Sequence, residues 1–363
     1  MLSRVACSGP IGAIAILAGV LLRTPAAAAA EIPQFFALCY HGVEDDAPDQ
    51  RYVGVTTQRL VEQLSWLQRN DFHAVSVDDI LAARAGRKPL PDRAYLITFD
   101  DGFESFYTRA FPVLKAFNVP AVLAIEGDWL ADTHGGAVDY AGESAPRELF
   151  MTWAQVREVA GSGLIEIASH TMDLHRGILG NPQGNFEPSA VTRRYDPATG
   201  YESERSYRGR IAADTERIAK TIEHEVGRRP RVMVWPYGEH SGLTISVAGE
   251  HAMPITMTLV DAPASLDGFS AMPRHLVSDD PPLSRFLQDL HDLSGGAPMR
   301  AVQVDLDYVY DPDAAQTERN LSALVQHIRD LRKYGFPTGL FGPRRQRAGA
   351  RSVFSHSGAA DAG

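Results

Sequence analysis

Six short apolar runs alternate with amphipathic stretches, and this alternation is the feature that most restricts the fold. The runs are apolar almost continuously rather than at every second position, which is typical of strands buried on both faces of a parallel sheet. They cover residues 35–41, 94–101, 121–127, 165–170, 232–238 and 255–260. The stretches 56–70, 111–117, 152–163 and 214–227 show the spacing of amphipathic helices. We therefore predict an α/β fold, most simply a (β/α) barrel or part of one.

Polar residues follow the apolar runs at the points where the strands should end. They are His41, the pair Asp100 and Asp101, His170, and the Pro236-Tyr237 dipeptide. In a (β/α) barrel the carboxyl ends of the strands meet at one rim, and active sites are built there. The sequence therefore predicts a site at this rim.

Asp100 and Asp101 are two adjacent carboxylates at the end of a buried run, and such charges need partners. His170 and His175, in "SHTMDLH", offer imidazole, the commonest protein ligand for metals. Two nearby histidines alone are more often surface or capping residues. With a carboxylate pair on a neighbouring strand end, they indicate a divalent metal site, which usually needs three protein ligands.

The two carboxylates can have different roles in one reaction. If one carboxylate binds a metal ion, the other can stay ionised beside it and accept a proton from the attacking water. The alternative is that the pair caps the helix predicted to begin near Gly102, because Asp is a favoured N-cap residue. A cap would account for one aspartate and leave the other without a role.

Three motifs in order, "TFDDG" (98–102), "SHTMDLH" (169–175) and "VWPYG" (234–238), resemble those of the polysaccharide deacetylase (NodB-homology) family of metal-dependent esterases. The resemblance covers roughly residues 35–290. It implies Asp101, His170 and His175 as metal ligands and Asp100 as the general base. It also implies that the backbone N–H of Tyr237 helps to hold the oxyanion. Zn²⁺, Co²⁺, Ni²⁺ and Fe²⁺ all tolerate such ligands, so the identity of the ion stays open.

The chain is more similar to one branch of the family, the PgaB-type N-deacetylases of poly-β-1,6-N-acetyl-D-glucosamine. "YHGVED" (40–45), "WPYGEH" (235–240) and "VDLDYVYDPD" (304–313) carry this similarity. In that branch the motif order is permuted, and the resemblance implies that His41 is the general acid. It also implies an N-acetylglucosamine polysaccharide as substrate and proteins of an exopolysaccharide export system as possible partners.

The chain departs from the family pattern in two places. Most members have an arginine two residues before the Pro-Tyr of the third motif, and Val234 stands there in this chain. Arg274, in "MPRHLV", is the candidate for replacing its salt bridge to the base. In addition, branch members continue into a complete second barrel, of which this chain carries only the first strand and helix before the resemblance ends near Leu331. We expect a truncated C-terminal domain.

The N-terminus is typical of a secretory signal peptide over residues 1–30. Arg4 precedes an apolar run at 11–22, and Ala28 and Ala30 suit cleavage before Glu31. We expect an exported, periplasmic protein. An uncleaved membrane anchor is the alternative, and Cys7 is poorly placed for lipid attachment because it precedes the apolar run.

The expected domain order follows from these segments. A deacetylase domain at 31–290 is followed by a linker at 291–298, an incomplete second α/β barrel at 299–335 and a disordered Gly/Ala/Arg/Ser-rich tail at 336–363. Residues 180–210 form a long polar insertion within the first domain, and loops of such length are usually functional or disordered.

The formal net charge of −10 argues against a nucleic-acid partner, which usually requires a basic face. Two other functions stay open at this point. One is deacetylation of chitin-like or peptidoglycan glycans, which the same chemistry would serve. The other is a truncated glycan-binding module with little activity.

Overall fold

The computed structural model of the protein describes residues 34–131, 136–140 and 142–295, and over these ranges it confirms the predicted barrel-like α/β architecture. The strands, numbered in chain order, are β1 (Gln34–Tyr40), β2 (Val43–Glu44), β3 (Val55–Thr56), β4 (His73–Ala74), β5 (Ala94–Phe99), β6 (Ala121–Ile125), β7 (Ala137–Tyr140), β8 (Glu143–Pro146), β9 (Ile165–Ser169), β10 (Gly177–Leu179), β11 (Phe186–Pro188), β12 (Tyr195–Asp196), β13 (Gly200–Tyr201), β14 (Val232–Val234), β15 (Ile255–Met257), β16 (Ala264–Ser265) and β17 (His275–Leu276).

Helices connect the strands of the main sheet and cover its outer face. The α-helices are α1 (Thr57–Arg69), α2 (Val77–Arg84), α3 (Phe111–Phe117), α4 (Trp153–Gly161), α5 (Glu204–Val226), α6 (Gly242–Glu250) and α7 (Leu283–Gly295). Shorter turns are the 3₁₀ segments Gln50–Tyr52, Arg147–Leu149, Pro236–Gly238 and Phe269–Ala271, and the π turn Phe106–Ala110. Among the described residues, no helix is both long and apolar enough to cross a membrane.

The main sheet has the order β15-β14-β9-β6-β5-β1-β16, with β4 added at β5 and β17 at β1. Its strands pair in parallel, apart from the antiparallel edge strand β16. A short segment brings the two edges of the sheet together. Met272 pairs with Met257 of β15, while His275 and Leu276 pair with β1. The sheet therefore curls into a barrel-like form, with the carboxyl ends of its strands at one rim.

The strands carry two hydrophobic faces, as period-two alternation requires. One cluster lies inside the curl, and burial of each of its larger side chains contributes about 1.5–3 kcal/mol. It includes Ala37, Leu96, Val122, Ala124, Ala168, Val234, Met257 and Met272. The other cluster packs against the helices and includes Leu38, Ile97, Leu123, Ile167, Leu60, Leu64 and Ile218. By the same alternation, Cys39 in β1 and Thr98 in β5 lie on the inner face, and His41 and Asp100, two residues further along each chain segment, continue it.

The structure corrects three predicted boundaries. β14 ends at Val234 rather than 238, because Pro236 has no N–H for a sheet and begins a 3₁₀ turn. The insertion at 180–210 is not one loop, since it contains β11, which pairs with the preceding β10, and the whole β12–β13 hairpin. α5 begins at Glu204, ten residues before the predicted start, with the Ser203 hydroxyl accepting from the Ser206 N–H as its N-cap.

The remaining domain predictions fall largely outside the described residues. This applies to the signal peptide at 1–30, the second-barrel fragment at 299–335 and the tail at 336–363. α7 extends to Gly295, so the first five residues of the segment predicted as a linker are helical.

Candidate active site

The ends of β5 and β9 bring the three predicted metal ligands together. His170 Nε2 lies 3.2 Å from Asp101 Oδ1, and His175 Nε2 lies 3.5 Å from the same oxygen. All three side chains are buried, and their ligand atoms lie within 4.8 Å of one another. A carboxylate and two imidazoles that converge on one point can act as three ligands of a single ion.

The hydrogen bonds around these residues leave the converging atoms available to a cation. His170 Nδ1 lies 2.8 Å from the carbonyl oxygen of Val234, so Nδ1 donates there and Nε2 faces Asp101. Tyr140 donates its hydroxyl proton to Asp101 Oδ2 at 2.7 Å. Within the described part of the chain, Asp101 Oδ1 is buried and accepts no well-aligned hydrogen bond. An unsatisfied carboxylate oxygen facing two imidazole nitrogens fits a divalent cation.

The protonation states also suit metal binding. Burial lowers the pKa of His175 to about 4, so its imidazole is neutral at neutral pH. Burial opposes ionisation of Asp101, but the 3.2 Å contact with His170 and the nearby histidines hold its pKa below the ordinary value. Burial lowers the pKa of His170, but the contact with Asp101 and the charges of both aspartates raise it above the ordinary value. A bound cation would replace the proton that His170 shares with Asp101.

Asp100 is held by Arg274 through two hydrogen bonds. Arg274 Nη1 donates to Oδ1 at 2.7 Å and Nη2 to Oδ2 at 2.8 Å. Arg274 is fully buried and also donates to the Thr98 hydroxyl at 2.7 Å and to the Thr258 carbonyl at 3.1 Å. Burial alone would raise the pKa of Asp100, but the guanidinium lowers it to about 2. Asp100 is therefore ionised and fixed in orientation.

Most family members have an arginine at the position of Val234. In this chain Arg274 forms the ion pair with Asp100 that is expected of that arginine. It lies in the segment that closes the sheet, two residues after Met272, so its side chain shares the inner face with that residue. Arg274 is the candidate that the sequence offers for this ion pair, and the structure confirms that the pair forms.

His41 lies beside Asp100 with Cys39 next to it. The Cys39 thiol donates to Asp100 Oδ2 at 3.4 Å, and Cys39 Sγ lies 4.0 Å from His41 Nδ1. Burial lowers the pKa of His41 and raises that of Cys39. The structure thus brings the predicted acid and the predicted base to the same part of the rim.

Tyr237 lies beside His175, in a turn with unusual backbone geometry. Its φ is 60° and that of Gly238 is 74°. A Cβ at Gly238 would lie 2.6 Å from Leu259 N, so only glycine fits there. The Tyr237 ring packs against His175 with 4.5 Å between the ring centroids.

Three residues at this rim have left-handed backbone conformations that are costly for side chains other than glycine. Besides Tyr237, Asp101 has a φ of 74° and Thr171 a φ of 75°, and each follows a strand of the main sheet. A non-glycine residue in the left-handed region is costly and persists where surrounding contacts hold it, often at functional sites.

Three residues of this site were missed by the analysis of the sequence. Cys39 could have been found, because it lies two residues before His41 and therefore on the same face of β1. Tyr140 comes from the β7–β8 hairpin, and Trp129 follows β6 and packs against His175 at 4.8 Å between ring centroids. No local pattern in the sequence connects either of them to the motifs.

Comparisons with known proteins identify the family to which this chain belongs. The sequence pattern described as polysaccharide deacetylase matches residues 87–255. The structure is similar to that of a de-N-acetylase from Aggregatibacter actinomycetemcomitans, with 35% identity and a TM-score of 0.67, over 71% of this chain and 100% of the other. The deacetylase domain of BpsB from Bordetella bronchiseptica matches at 42% identity with a TM-score of 0.62, over 67% and 96% of the two chains. The chain belongs to the polysaccharide deacetylase family.

Curated relatives show which members of this family the chain resembles. The poly-beta-1,6-N-acetyl-D-glucosamine N-deacetylase of Escherichia coli K12 is 41% identical over 299 residues, which are 82% of this chain and 44% of the relative. The protein of that name from Staphylococcus epidermidis is 23% identical over 257 residues. The chain thus spans less than half the length of the E. coli relative. A second pattern, described as hypothetical glycosyl hydrolase family 13, matches residues 303–335, outside the described residues.

Proposed function

We propose that the chain is a metal-dependent N-deacetylase of poly-β-1,6-N-acetyl-D-glucosamine. The observation that carries the proposal is the position of an ionised, Arg274-bound Asp100 directly beside the convergent Asp101, His170 and His175. The names of the E. coli and S. epidermidis relatives support the choice of polymer.

Asp101, His170 and His175 would hold one divalent ion, which could be Zn²⁺, Co²⁺, Ni²⁺ or Fe²⁺. Such an ion, when bound, polarises an amide carbonyl and lowers the pKa of a neighbouring water. Tyr140 and the Val234 carbonyl orient two of the ligands through their hydrogen bonds.

Asp100 acts as the general base in this proposal. The two hydrogen bonds from Arg274 keep its carboxylate from rotating, and its low pKa keeps it in the ionised form that can accept a proton from the attacking water, although the same low pKa makes it a weaker base. A positioned base typically contributes roughly 10²–10⁴ in rate. Arg274 is a positioning residue for this step.

His41 donates a proton to the departing amine. Burial lowers its pKa, which makes the protonated imidazole a stronger acid but reduces the protonated fraction at neutral pH. The backbone N–H of Tyr237 completes the site as a donor to the oxyanion, and loss of such a donor costs on the order of 10²–10³ in rate.

The test is acetate release by the purified full chain from β-1,6-linked N-acetylglucosamine oligomers, with chitin oligomers and peptidoglycan as comparison substrates. We expect Asp100→Asn to keep its bound metal and to lose at least about 10²-fold in rate. His175→Ala should lose the metal as well. Full activity of Asp100→Asn would contradict the assigned base, and faster release from chitin oligomers would overturn the assigned linkage. Oligomer binding without metal, together with no acetate release, would instead show a binding module.

We also propose that the protein is exported and acts within an exopolysaccharide export system. The signal-peptide pattern at residues 1–30 supports this localisation. The N-terminus of the protein recovered from the periplasm should be Glu31. A cytoplasmic protein that begins at Met1 would contradict the proposal.

A further inference from the structure

A second group of metal-ligating side chains lies beside the first and shares none of its residues. Cys39, His41 and Asp100 are buried, and one ligand atom from each lies within 4.8 Å of the others. Cys39 Sγ is 3.4 Å from Asp100 Oδ2 and 4.0 Å from His41 Nδ1. The three side chains come from the inner face of β1 and from the end of β5, two directly paired strands.

The spacing of these atoms suits a small tetrahedral ion. Zinc bonds of about 2.0–2.3 Å to O, N and S ligands place neighbouring ligand atoms about 3.3–3.8 Å apart. The observed S–O separation lies within this range, and the S–N separation needs a small movement of the His41 ring. A thiol among the ligands favours a thiophilic ion such as Zn²⁺ or Co²⁺ over Mg²⁺ or Ca²⁺.

The charges around this group predict a weaker site than the first one. The guanidinium of Arg274 already donates to both oxygens of Asp100 and lies close to any cation bound there. A carboxylate oxygen has two lone pairs, so Asp100 Oδ2 can accept from Arg274 and still bind an ion. Repulsion between Arg274 and the ion lowers the affinity, and the Cys39 thiol must release its proton to solvent when the ion binds.

We propose that Cys39, His41 and Asp100 form a second, inhibitory site for a thiophilic divalent ion, filled only when metal is in excess. The inhibitory consequence rests on the proposed function. An ion on Asp100 occupies the oxygen that would accept the proton from water, and it also binds the residue proposed as the acid.

The binding test is a cobalt titration of the metal-free full chain, followed by equilibrium dialysis and by near-ultraviolet absorption from thiolate-to-cobalt charge transfer. We expect two equivalents to bind, with the charge-transfer band growing only with the second. Cys39→Ala and Cys39→Ser should each bind one equivalent without the band, and that retained equivalent shows that the variants are folded. Cys7→Ser is the matched control and should behave like the unchanged chain. A single equivalent in the unchanged chain, or a band that persists in Cys39→Ala, would overturn the proposal.

The second test is inhibition of acetate release by excess zinc. We expect half-inhibition of Cys39→Ala to require at least tenfold more zinc than half-inhibition of the unchanged chain or of Cys7→Ser. Equal inhibition of all three would overturn the inhibitory role. If no condition yields acetate, the proposed function fails, while the cobalt titration still decides whether the second site exists.

Discussion

Arg274 and Asp100 lie 174 positions apart in the sequence and form a buried ion pair through two hydrogen bonds of 2.7 and 2.8 Å. The arginine side chain is fully buried and the aspartate side chain is 2% exposed, so neither charge is solvated by bulk water. A pair of this kind is held in place by its geometry, because each partner would be strongly destabilised without the other. The segment that closes the barrel-like sheet thereby fixes the proposed base.

Replacement of Arg274 by methionine should reduce both stability and activity. It leaves Asp100 buried without a counter-charge, which we expect to lower the free energy of unfolding by about 3–5 kcal/mol. Arg274→Lys keeps the charge but not the two-bond geometry, so it should retain more stability and still lose activity. Urea unfolding and acetate release measure the two effects. Equal stability of both variants and the unchanged chain would contradict the importance of the ion pair.

Removal of the Tyr140 hydroxyl should weaken metal binding. Tyr140→Phe deletes the 2.7 Å hydrogen bond to Asp101 Oδ2 and keeps the ring. Loss of a partner of this kind typically costs 10–100-fold in metal affinity. Tyr107→Phe is the control, since its hydroxyl donates to the surface residue Glu158 away from the site. Competition with a chelator gives the affinities, and identical values for the two variants would refute the expectation.

Asp214 should make stability depend on pH. Its buried carboxylate accepts the N–H groups of Met172 and Asp173 at 2.9 Å each, in the loop that carries His175. Burial raises its pKa to about 7 in the folded state, against two hydrogen bonds that act in the opposite direction. The folded state therefore binds a proton more tightly than the unfolded state, so this contribution to stability is complete below about pH 4 and is lost as pH rises through 7.

The measurement compares the metal-free chain with Asp214→Asn, which does not titrate. Between pH 4 and 8, the free energy of unfolding of the unchanged chain should fall by roughly 2–4 kcal/mol relative to the variant. If the free energies of unfolding of the unchanged chain and of Asp214→Asn, measured with urea, differ by the same amount at pH 4, 6 and 8, then Asp214 titrates in the same way in the folded and unfolded states and the prediction is wrong.

Two glycines offer a matched test of the Tyr237 turn. At Gly238, φ is 74° and an added Cβ would meet Leu259 N at 2.6 Å, so Gly238→Ala should distort the turn and reduce acetate release. At Gly209, in the exposed part of α5, an added Cβ meets nothing within 4 Å. Gly209→Ala should raise stability by about 0.5–1 kcal/mol and leave activity unchanged. Unchanged activity of Gly238→Ala would argue against a role for this turn.

Helices and strands were predicted well where the spacing of apolar residues within one segment was enough to identify them. α1 and α3 match the predicted ranges closely, because the spacing of their apolar residues is a local property of the sequence. The prediction failed at residues 180–210, where short two- and three-residue strands pair across hairpins and leave no periodic pattern. The prediction also missed the first ten residues of α5, because their polar and arginine-rich composition gives little apolar periodicity.

By itself, the sequence determined the α/β class and the presence of Asp100, Asp101, His170 and His175 at strand ends, since continuous apolar runs and short motifs are local properties. The sequence offered Arg274 only as a candidate partner of Asp100, and the tertiary structure decided that this pair forms, that Tyr140 supports Asp101 and that Cys39 joins His41 beside the base. These contacts join residues from distant parts of the chain, or depend on which face of a strand turns inward. They form because the Met272–Leu276 segment closes the sheet and because the β7–β8 hairpin folds over the rim.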